Sequence, residues 1–180
     1  MIGYYLFNFS NRHEVVERAL RDQVTALLRL KMWGVDAGEL HRAELAPGDL
    51  ALIYIGPPER AFVGRAELAL AVRDWTPAEA HVYPGDTRAG VLLTDIEEWD
   101  PPVLMQTVVQ RIDPTGSNPY VQANARDGFQ NGLVEITEHE YEVVLAVRAE
   151  NPGQQSNTNQ HSSLRMRWSS STRSRIWRGS

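Results

Sequence analysis

Along the first 150 residues, apolar side chains are grouped in short segments, some typical of strands and some with the spacing of a helix. Residues 2–9, 50–55 and 61–72 are rich in aliphatic and aromatic side chains, which predicts three strands. Between Val16 and Leu30 the apolar residues recur every three or four positions, and this spacing predicts an amphipathic helix. The chain is therefore expected to begin with a strand, a helix and a further pair of strands.

The second half of the chain continues this mixture of short elements. Residues 90–99 predict a strand that ends ahead of Pro101-Pro102, because proline cannot donate to a sheet ladder. Residues 103–112 then predict a short helix, and residues 132–136 predict a last short strand. Residues 31–38, by contrast, carry no periodic signal and are expected to form a loop.

Capping-box patterns mark three helix starts. In this pattern the first side chain accepts a hydrogen bond from the N–H group three residues later, and a Glu at that later position reaches back. The pattern occurs at Asn11–Glu14, Thr76–Glu79 and Thr137–Glu140. Each of these segments is expected to open a helix.

The count of five or six short strands with three or four helices, mostly not alternating, indicates an α+β fold. The expected architecture is a small curled mixed β-sheet or open barrel with flanking helices. We expect this domain to span residues 1–150. From 151 to 180 the composition changes to Gln, Asn, Ser and Arg, with almost no aliphatic residue, which predicts a disordered tail or linker.

The chain of 180 residues contains no cysteine, which excludes disulfides, thiolate zinc sites and a cysteine nucleophile. This composition fits a cytoplasmic protein, and no apolar run approaches the ~20 residues of a membrane-spanning helix. There is no phosphate-binding loop, no Gly-x-Ser-x-Gly motif and no metal-ligand spacing of histidines. An enzyme is therefore not expected, nor is a metal or another cofactor.

Charge is distributed unevenly along the chain. The first 150 residues hold 13 basic and 23 acidic residues, whereas the last thirty hold five Arg and no acidic residue. An acidic body is a poor nonspecific binder of nucleic acid, since that affinity comes from neutralised phosphates. Binding of nucleic acid would therefore require a local basic patch and a specific pocket.

Trp33 is the most informative single residue. It precedes Gly34, between the predicted helix and the turn at Ala46-Pro47-Gly48. A large aromatic side chain between two ordered elements is suited to form the wall of a pocket for a flat ligand, and burial in the core is the alternative. Ser10 and Asn11 follow the first strand and would contact the edge of that ligand. Capping of the first helix is the competing interpretation for Asn11.

Six segments resemble, in the same chain order, segments of EVE and YTH domains, which belong to the PUA-like group of folds. They are Tyr4 to Asn11, Trp33-Gly34, Pro47 to Tyr54 followed by Phe62 to Ala66, Tyr83-Pro84, Arg126-Asp127-Gly128, and Gly132 to Leu145. One segment departs from the resemblance, because Val35-Asp36-Ala37-Gly38 replaces the Arg-Asn-Tyr-Gln-like run that usually follows the tryptophan in EVE domains.

The resemblance implies a domain that recognises a modified base in nucleic acid. A flipped base needs aromatic or apolar faces above and below it and polar contacts at its edges. Trp33 would supply one wall, and the second wall is open between Trp75 and Tyr83. Ser10, Asn11 and Asp127 would read the base edges.

Four basic residues are the candidates for holding the nucleic-acid backbone: Arg12, Arg18, Lys31 and Arg126. A solvated helix face is the alternative interpretation for those on the first helix. By analogy with the family, the setting is prokaryotic defence or restriction, with methylated DNA favoured over RNA and an effector nuclease or ATPase as a partner. Two other functions remain open: binding or conversion of a free nucleotide or metabolite in the same pocket, and a protein-interaction module. The latter predicts a closed pocket and a buried Trp33.

Overall fold

A computed structural model describes residues 2–10, 17–84, 86–117, 129 and 132–151. Several predictions fall outside these residues. They concern Asn11, Arg12, Arg126, Asp127, the capping box at 11–14, the side chain of Arg18 and the predicted tail beyond residue 151.

The described part of the chain contains seven strands and four helices. The strands are β1 (Tyr4–Phe9), β2 (Met32–Gly34), β3 (Leu50–Ile55), β4 (Ala61–Leu68), β5 (Arg73–Asp74), β6 (Ala89–Leu104) and β7 (Leu133–Glu135), and the helices are α1 (Glu17–Leu30), α2 (Pro77–Val82), α3 (Met105–Ile112) and α4 (Glu138–Glu150).

The strands form one mixed sheet in the order β2-β6-β4-β3-β1-β7, and β5 pairs with the beginning of β6. Strands β1 and β3 are parallel, and the other pairs are antiparallel. The long strand β6 pairs with β2 through its first residues and with β4 through the rest, so it curls the sheet into a half-barrel. The α+β prediction of a curled mixed sheet with flanking helices is confirmed.

Both faces of the central strands are covered, which explains their nearly unbroken apolar sequences. In β1, Tyr5 and Phe7 point to the side that carries α1, where they join one core cluster. Leu6 points to the opposite side and joins a second core cluster with residues of α3 and α4, such as Val108 and Val144. Successive side chains of a strand alternate between faces, so one short segment contributes to two cores.

The strand predicted over residues 90–99 is longer than expected. The prediction that it ends ahead of Pro101-Pro102 is wrong, because β6 continues through these prolines to Leu104. The register with β4 is interrupted there: Gly64 pairs with Glu98, and Phe62 pairs with Val103. The prolines lie in this bulge, where no ladder N–H group is required of them.

The prediction of a loop over residues 31–38 is also partly wrong. Met32–Gly34 forms β2, in which Trp33 pairs with Val91. Lys31 has a positive φ of 57° and its N–H group donates to the Leu28 carbonyl at 3.0 Å, so the chain leaves α1 and enters β2 without a loop. A strand of three residues is too short to show a period.

The capping boxes at Thr76 and Thr137 are confirmed. The Glu79 N–H group donates to Thr76 Oγ1 at 3.3 Å, and the Thr76 N–H group donates to the Glu79 carboxylate at 2.9 Å. The corresponding distances at Thr137 and Glu140 are 3.1 and 2.8 Å. Helices α2 and α4 therefore begin where the sequence places them.

Candidate functional site

A cavity of about 410 Å³ lies on the α1 side of the sheet, where β1 and β2 end. Its aromatic lining residues are Phe7, Phe9, Trp33 and Tyr83, and its polar side chains come from Asn8, Ser10, Asp36, Glu39 and Thr87. A concave site of this size with apolar walls and a few converging polar groups is typical of small-ligand recognition.

Trp33 lines this cavity and is also part of the core, with 5% of its surface exposed. Its ring stacks on Phe7 with centroids 5.5 Å apart and meets Phe9 edge-on at 6.0 Å. Trp33 therefore lies both in the cavity wall and in the core, the two positions that its sequence context allowed. The buried Trp33 also meets one condition of the interaction-module hypothesis, although a cavity is present beside it. Its contact with a base stays a prediction.

The geometry distinguishes the two candidates for the second wall. Tyr83 lines the cavity, whereas Trp75 lies outside the lining and packs on Tyr83 with ring centroids 5.3 Å apart. The Trp75 indole N–H group donates to the Thr87 carbonyl at 2.9 Å, which fixes the ring behind Tyr83. Gly90 makes room for Trp75, since a Cβ atom there would collide with the indole ring. Tyr83 is thus the candidate wall, and Trp75 supports it.

The Tyr83 hydroxyl is anchored to β2. It accepts a hydrogen bond from the Gly34 N–H group at 3.0 Å, and a side chain at residue 34 would collide with the hydroxyl. Burial raises the pKa of this hydroxyl, the hydrogen bond from Gly34 opposes the rise, and the charge of Asp36 adds to it. The hydroxyl is therefore protonated at neutral pH and keeps its own hydrogen as a donor.

Two acidic residues of the cavity were not predicted from the sequence. The Thr87 hydroxyl donates to Asp36 Oδ1 at 3.1 Å. Glu39 accepts from the backbone N–H groups of Gly132 and Leu133, each at 3.1 Å, and so ties the segment after β2 to the start of β7. The departure from the EVE pattern at residues 35–38 is the only sequence signal that pointed to this segment.

Ser10 lies where the sequence placed it, exposed at the end of β1 and lining the cavity. Asn8, two residues earlier, was not predicted. Its side chain is buried and its Nδ2 group donates to the Phe129 carbonyl at 2.7 Å. The end of β1 therefore brings one predicted and one unexpected polar side chain to the cavity.

Only two of the four basic residues predicted to contact the nucleic-acid backbone lie in the described part of the chain, Lys31 and Arg18. Lys31 is exposed at the junction of α1 and β2 but is not among the residues that line the cavity. Arg18 lies in α1, and only its backbone is described. Among the described residues, no Lys or Arg lines the cavity.

The structure brings together one group of possible metal ligands in the described part. His41 Nδ1 lies 3.0 Å from a Glu44 carboxylate oxygen and 3.8 Å from a Glu135 oxygen. Their ligand atoms lie within 4.8 Å of one another, and both glutamates are exposed. Glu135 is remote in sequence from the other two, so spacing did not reveal the cluster. Exposed acidic groups commonly lie together in this way without a metal ion.

A second cavity, of about 550 Å³, lies on the opposite side of the sheet between α3, α4 and β7. Aliphatic side chains form most of its lining, such as Leu6, Leu52, Val108 and Val144, and its acidic groups come from Glu135 and Glu140. Two aromatic residues, Phe62 and Phe129, also line it, and both pack against Tyr54. The first cavity has the larger share of polar and aromatic side chains in its lining, so it is better suited to hold a flat polar ligand.

No protein-family profile matches this chain, and no curated protein matches it either. Several solved structures share its fold. Rpa0253 from Rhodopseudomonas palustris superimposes with a TM-score of 0.51 and 15% identity, covering 87% of this chain and 99% of that one. The YTH domain of Zygosaccharomyces rouxii MRB1, solved in complex with N6-methyladenosine RNA, gives 0.52 and 12% over 80% and 86% of the two chains. Human THYN1, solved with DNA containing 5-methylcytosine, gives 0.50 and 12% over 81% and 96%.

These similarities confirm the expected fold, which is PUA-like and of the EVE/YTH kind. At 12–15% identity they establish the architecture and leave the ligand of this chain to be argued from its own residues. Within the described residues, the helices are all too short or too polar to cross a lipid bilayer.

Proposed function

We propose that this domain binds nucleic acid that carries a methylated base, and that the base is flipped into the cavity between Trp33 and Tyr83. The observation that carries the proposal is the cavity itself, with aromatic rings from two different elements and polar side chains at the ends of β1 and β2. Two structures with this fold were solved with methylated RNA or DNA, which supports the same class of ligand here.

The aromatic walls would provide most of the affinity for the base. A stack on one aromatic ring contributes about 1–3 kcal/mol, which offsets the few kcal/mol needed to unstack a base. One methyl group adds about 0.8 kcal/mol when it is fully buried. Recognition of the methyl group therefore depends on how closely the walls fit around it.

Polar groups at the ends of β1 and β2 would fix the orientation of the base. Ser10 lines the cavity directly, and Asn11 and Asp127 are proposed as further contacts from the resemblance to YTH domains. The backbone of the nucleic acid would be held outside the cavity by Arg12, Arg18, Lys31 and Arg126. Since these contacts release counterions, affinity should fall as salt increases.

The wider setting that we propose is prokaryotic defence or restriction in the cytoplasm, with DNA favoured over RNA. A bare recognition domain is useful when it directs an effector, so we propose a nuclease or ATPase domain or subunit as its partner. The domain itself would act by binding and not by catalysis.

The test is a titration of fluorescent single- and double-stranded DNA and RNA, with and without methylated adenine or cytosine, by fluorescence anisotropy. We expect a preference for one methylated oligonucleotide that Tyr83→Leu and Trp33→Leu both abolish. The control is Trp99→Leu, which removes a tryptophan that is 1% exposed in the second core cluster. Absence of binding to every oligonucleotide at low salt would refute the proposal.

A second candidate function is the binding of a free nucleotide or metabolite. One observation favours it: no basic side chain among the described residues lines the cavity, although a polynucleotide needs cations close by. A mononucleoside that binds as tightly as the oligonucleotide, with no dependence on salt, would establish this alternative.

A further inference from the structure

The charge of the cavity restricts the kind of base that fits it. Asp36 and Glu39 both line the cavity, and they lie three residues apart on the segment after β2. A carboxylate accepts hydrogen bonds and donates none, so it favours a ligand edge with N–H groups and repels one with carbonyl oxygens.

The two carboxylates differ in whether an oxygen atom is left to accept a hydrogen bond from a ligand. Each oxygen of Glu39 already accepts a backbone N–H group at 3.1 Å, so this side chain is a structural tie that also contributes charge. In Asp36 only Oδ1 has a partner, the Thr87 hydroxyl at 3.1 Å. Its Oδ2 atom has no hydrogen-bond partner among the described residues and is left to accept a hydrogen bond from a ligand.

Tyr83 supplies the complementary group. Its oxygen accepts from the Gly34 N–H group at 3.0 Å, and its hydrogen has no acceptor among the described residues. The cavity therefore offers one charged acceptor at Asp36 and one neutral donor at Tyr83. An amino group beside an unprotonated ring nitrogen presents the matching donor and acceptor, as adenine and cytosine do.

We propose that this cavity selects adenine or cytosine over their deaminated counterparts, hypoxanthine and uracil, and that Asp36 is the specificity-determining residue. The proposal rests on the proposed function of the same site. Deamination replaces the amino group with a carbonyl oxygen and places a hydrogen on the ring nitrogen. Both changes oppose the arrangement of Asp36 and Tyr83, because a carbonyl would face a carboxylate and an N–H group would face an O–H donor.

The same argument limits the kind of methylation that is accepted. A methyl group on a ring carbon leaves both N–H groups of the amino group, and one methyl on the amino nitrogen leaves a single N–H group. Two methyl groups on that nitrogen leave none. N6-methyladenine, N4-methylcytosine and 5-methylcytosine are thus compatible with Asp36, whereas N6,N6-dimethyladenine is not.

The experiment measures binding of oligonucleotides of one sequence that differ only in a central base. The probes are cytosine against uracil, adenine against hypoxanthine, and N6-methyladenine against N6,N6-dimethyladenine, each in DNA and RNA. We expect the first base of the preferred pair to bind about tenfold more tightly or better, as is usual for a specific edge contact. Asp36→Asn should bring this ratio towards one, because its amide donates to a carbonyl as readily as it accepts from an amino group.

The matched control is Asp86→Asn, which removes the same charge from an exposed acidic residue that precedes Thr87 and does not line the cavity. This control should keep the ratio of the wild type, and circular dichroism should show that both variants are folded. Equal binding of both members of each pair, or an unchanged ratio in Asp36→Asn, would overturn the specificity while leaving base binding intact. No binding of any probe would overturn the proposed function as well.

Discussion

The two cavities of this domain lie on opposite faces of the same sheet and differ in how their polar groups are held. In the cavity near Trp33, the Tyr83 hydroxyl and the Glu39 carboxylate are bonded to backbone N–H groups, and Asp36 is bonded to Thr87. The cavity between α3 and α4 is bordered mainly by aliphatic side chains. One face therefore has polar groups held by partners from distant parts of the chain, whereas on the other face Thr137 and Glu140 bond to each other within the capping box of α4.

The difference reflects where each cavity lies along the strands. The Trp33 cavity lies where β1 and β2 end and the chain leaves the sheet, so backbone groups and short polar side chains are available to it. The other cavity lies mainly over strand interiors and helix faces that carry apolar residues, and reaches polar residues only at the junction of β7 and α4. Recognition is expected at the first location, because loops positioned by a rigid sheet carry most binding residues.

The strongest way to test this comparison uses two neighbouring residues of β1. Phe7 is fully buried against Trp33, and Leu6 is 1% exposed and borders the other cavity. Phe7→Ala should lower the free energy of unfolding by roughly 3–5 kcal/mol and Leu6→Ala by roughly 2–5 kcal/mol. Only Phe7→Ala should also weaken binding, since it removes the support of Trp33. Urea unfolding and anisotropy of the folded fraction would measure both, and equal loss of binding would show that the faces are not independent.

A smaller effect is expected where Glu39 ties the segment after β2 to β7. Glu39→Ala removes two charge-assisted hydrogen bonds and should cost roughly 1–3 kcal/mol of stability, together with loss of binding. Glu39→Gln keeps one acceptor and should lie between Glu39→Ala and the wild type. The control is Glu44→Ala, since the Glu44 side chain is 58% exposed and His41 is its sole side-chain partner in the described part of the chain. Equal unfolding temperatures for Glu39→Ala and Glu44→Ala would contradict the proposed role of Glu39 in holding this segment to β7.

These residues also show which parts of the site the sequence could predict. Trp33 was singled out because it is a large aromatic residue beside Gly34 between two predicted elements. The second wall was left open between Trp75 and Tyr83, and Tyr83 entered through the resemblance of Tyr83-Pro84 to EVE domains. Asp36 and Glu39 were not identified, because their importance comes from partners far along the chain, at Thr87 and at residues 132–133. Sequence periodicity contains no information about such pairing.

The fold was predicted more completely than the site. Helix α1 shows a clear period, strands β1 and β3 are short unbroken apolar segments, and capping boxes mark the start of α2 and of α4. The errors occur where tertiary structure overrides a local signal: the bulge that admits Pro101-Pro102, and the pairing with β6 that makes β2 a strand. Both the bulge and the short strand are set by pairing with a neighbouring strand.

On the second face, Tyr54 offers a test with a smaller effect at neutral pH. Burial raises the pKa of its hydroxyl from 10.0 to about 12, although the nearby charge of Arg60 opposes this rise, and the hydroxyl has no hydrogen-bond partner among the described residues. The folded state therefore favours the neutral phenol. The contribution of the neutral Tyr54 phenol to the free energy of unfolding is complete below pH 10. It is on the order of 2 kcal/mol and is lost as the pH rises through about 12.

Tyr54→Phe should consequently be neutral or stabilise by up to about 1 kcal/mol at pH 7, since no hydrogen bond is lost. It should also flatten the fall in stability above pH 10. Urea midpoints measured from pH 7 to 11.5 would show this, and Tyr83→Phe would serve as the comparison on the other face. A destabilised Tyr54→Phe at pH 7 would mean that the hydroxyl has a partner after all.

The smallest effect is expected at the ion pair that supports the Tyr83 wall from outside. Arg73 donates to both oxygens of Glu79 at 2.7 and 2.6 Å, which lowers the pKa of that carboxyl to about 2, and the Thr76 backbone contributes to the shift. The contribution of Glu79 to stability is therefore present above pH 4.5 and lost only as the pH falls through about 2.

Because both side chains of this pair still reach solvent, at 35% and 21% exposure, Arg73→Gln should change the unfolding temperature at pH 7 only slightly. It should nevertheless weaken binding slightly, since α2 leads directly into Tyr83, whereas Arg65→Gln at the exposed pair with Glu97 should not. An NMR titration of Glu79 would detect the lost pair as a pKa that returns towards 4.5. If both variants bound equally well, the position of the Tyr83 wall would depend on Trp75 and Gly34 alone.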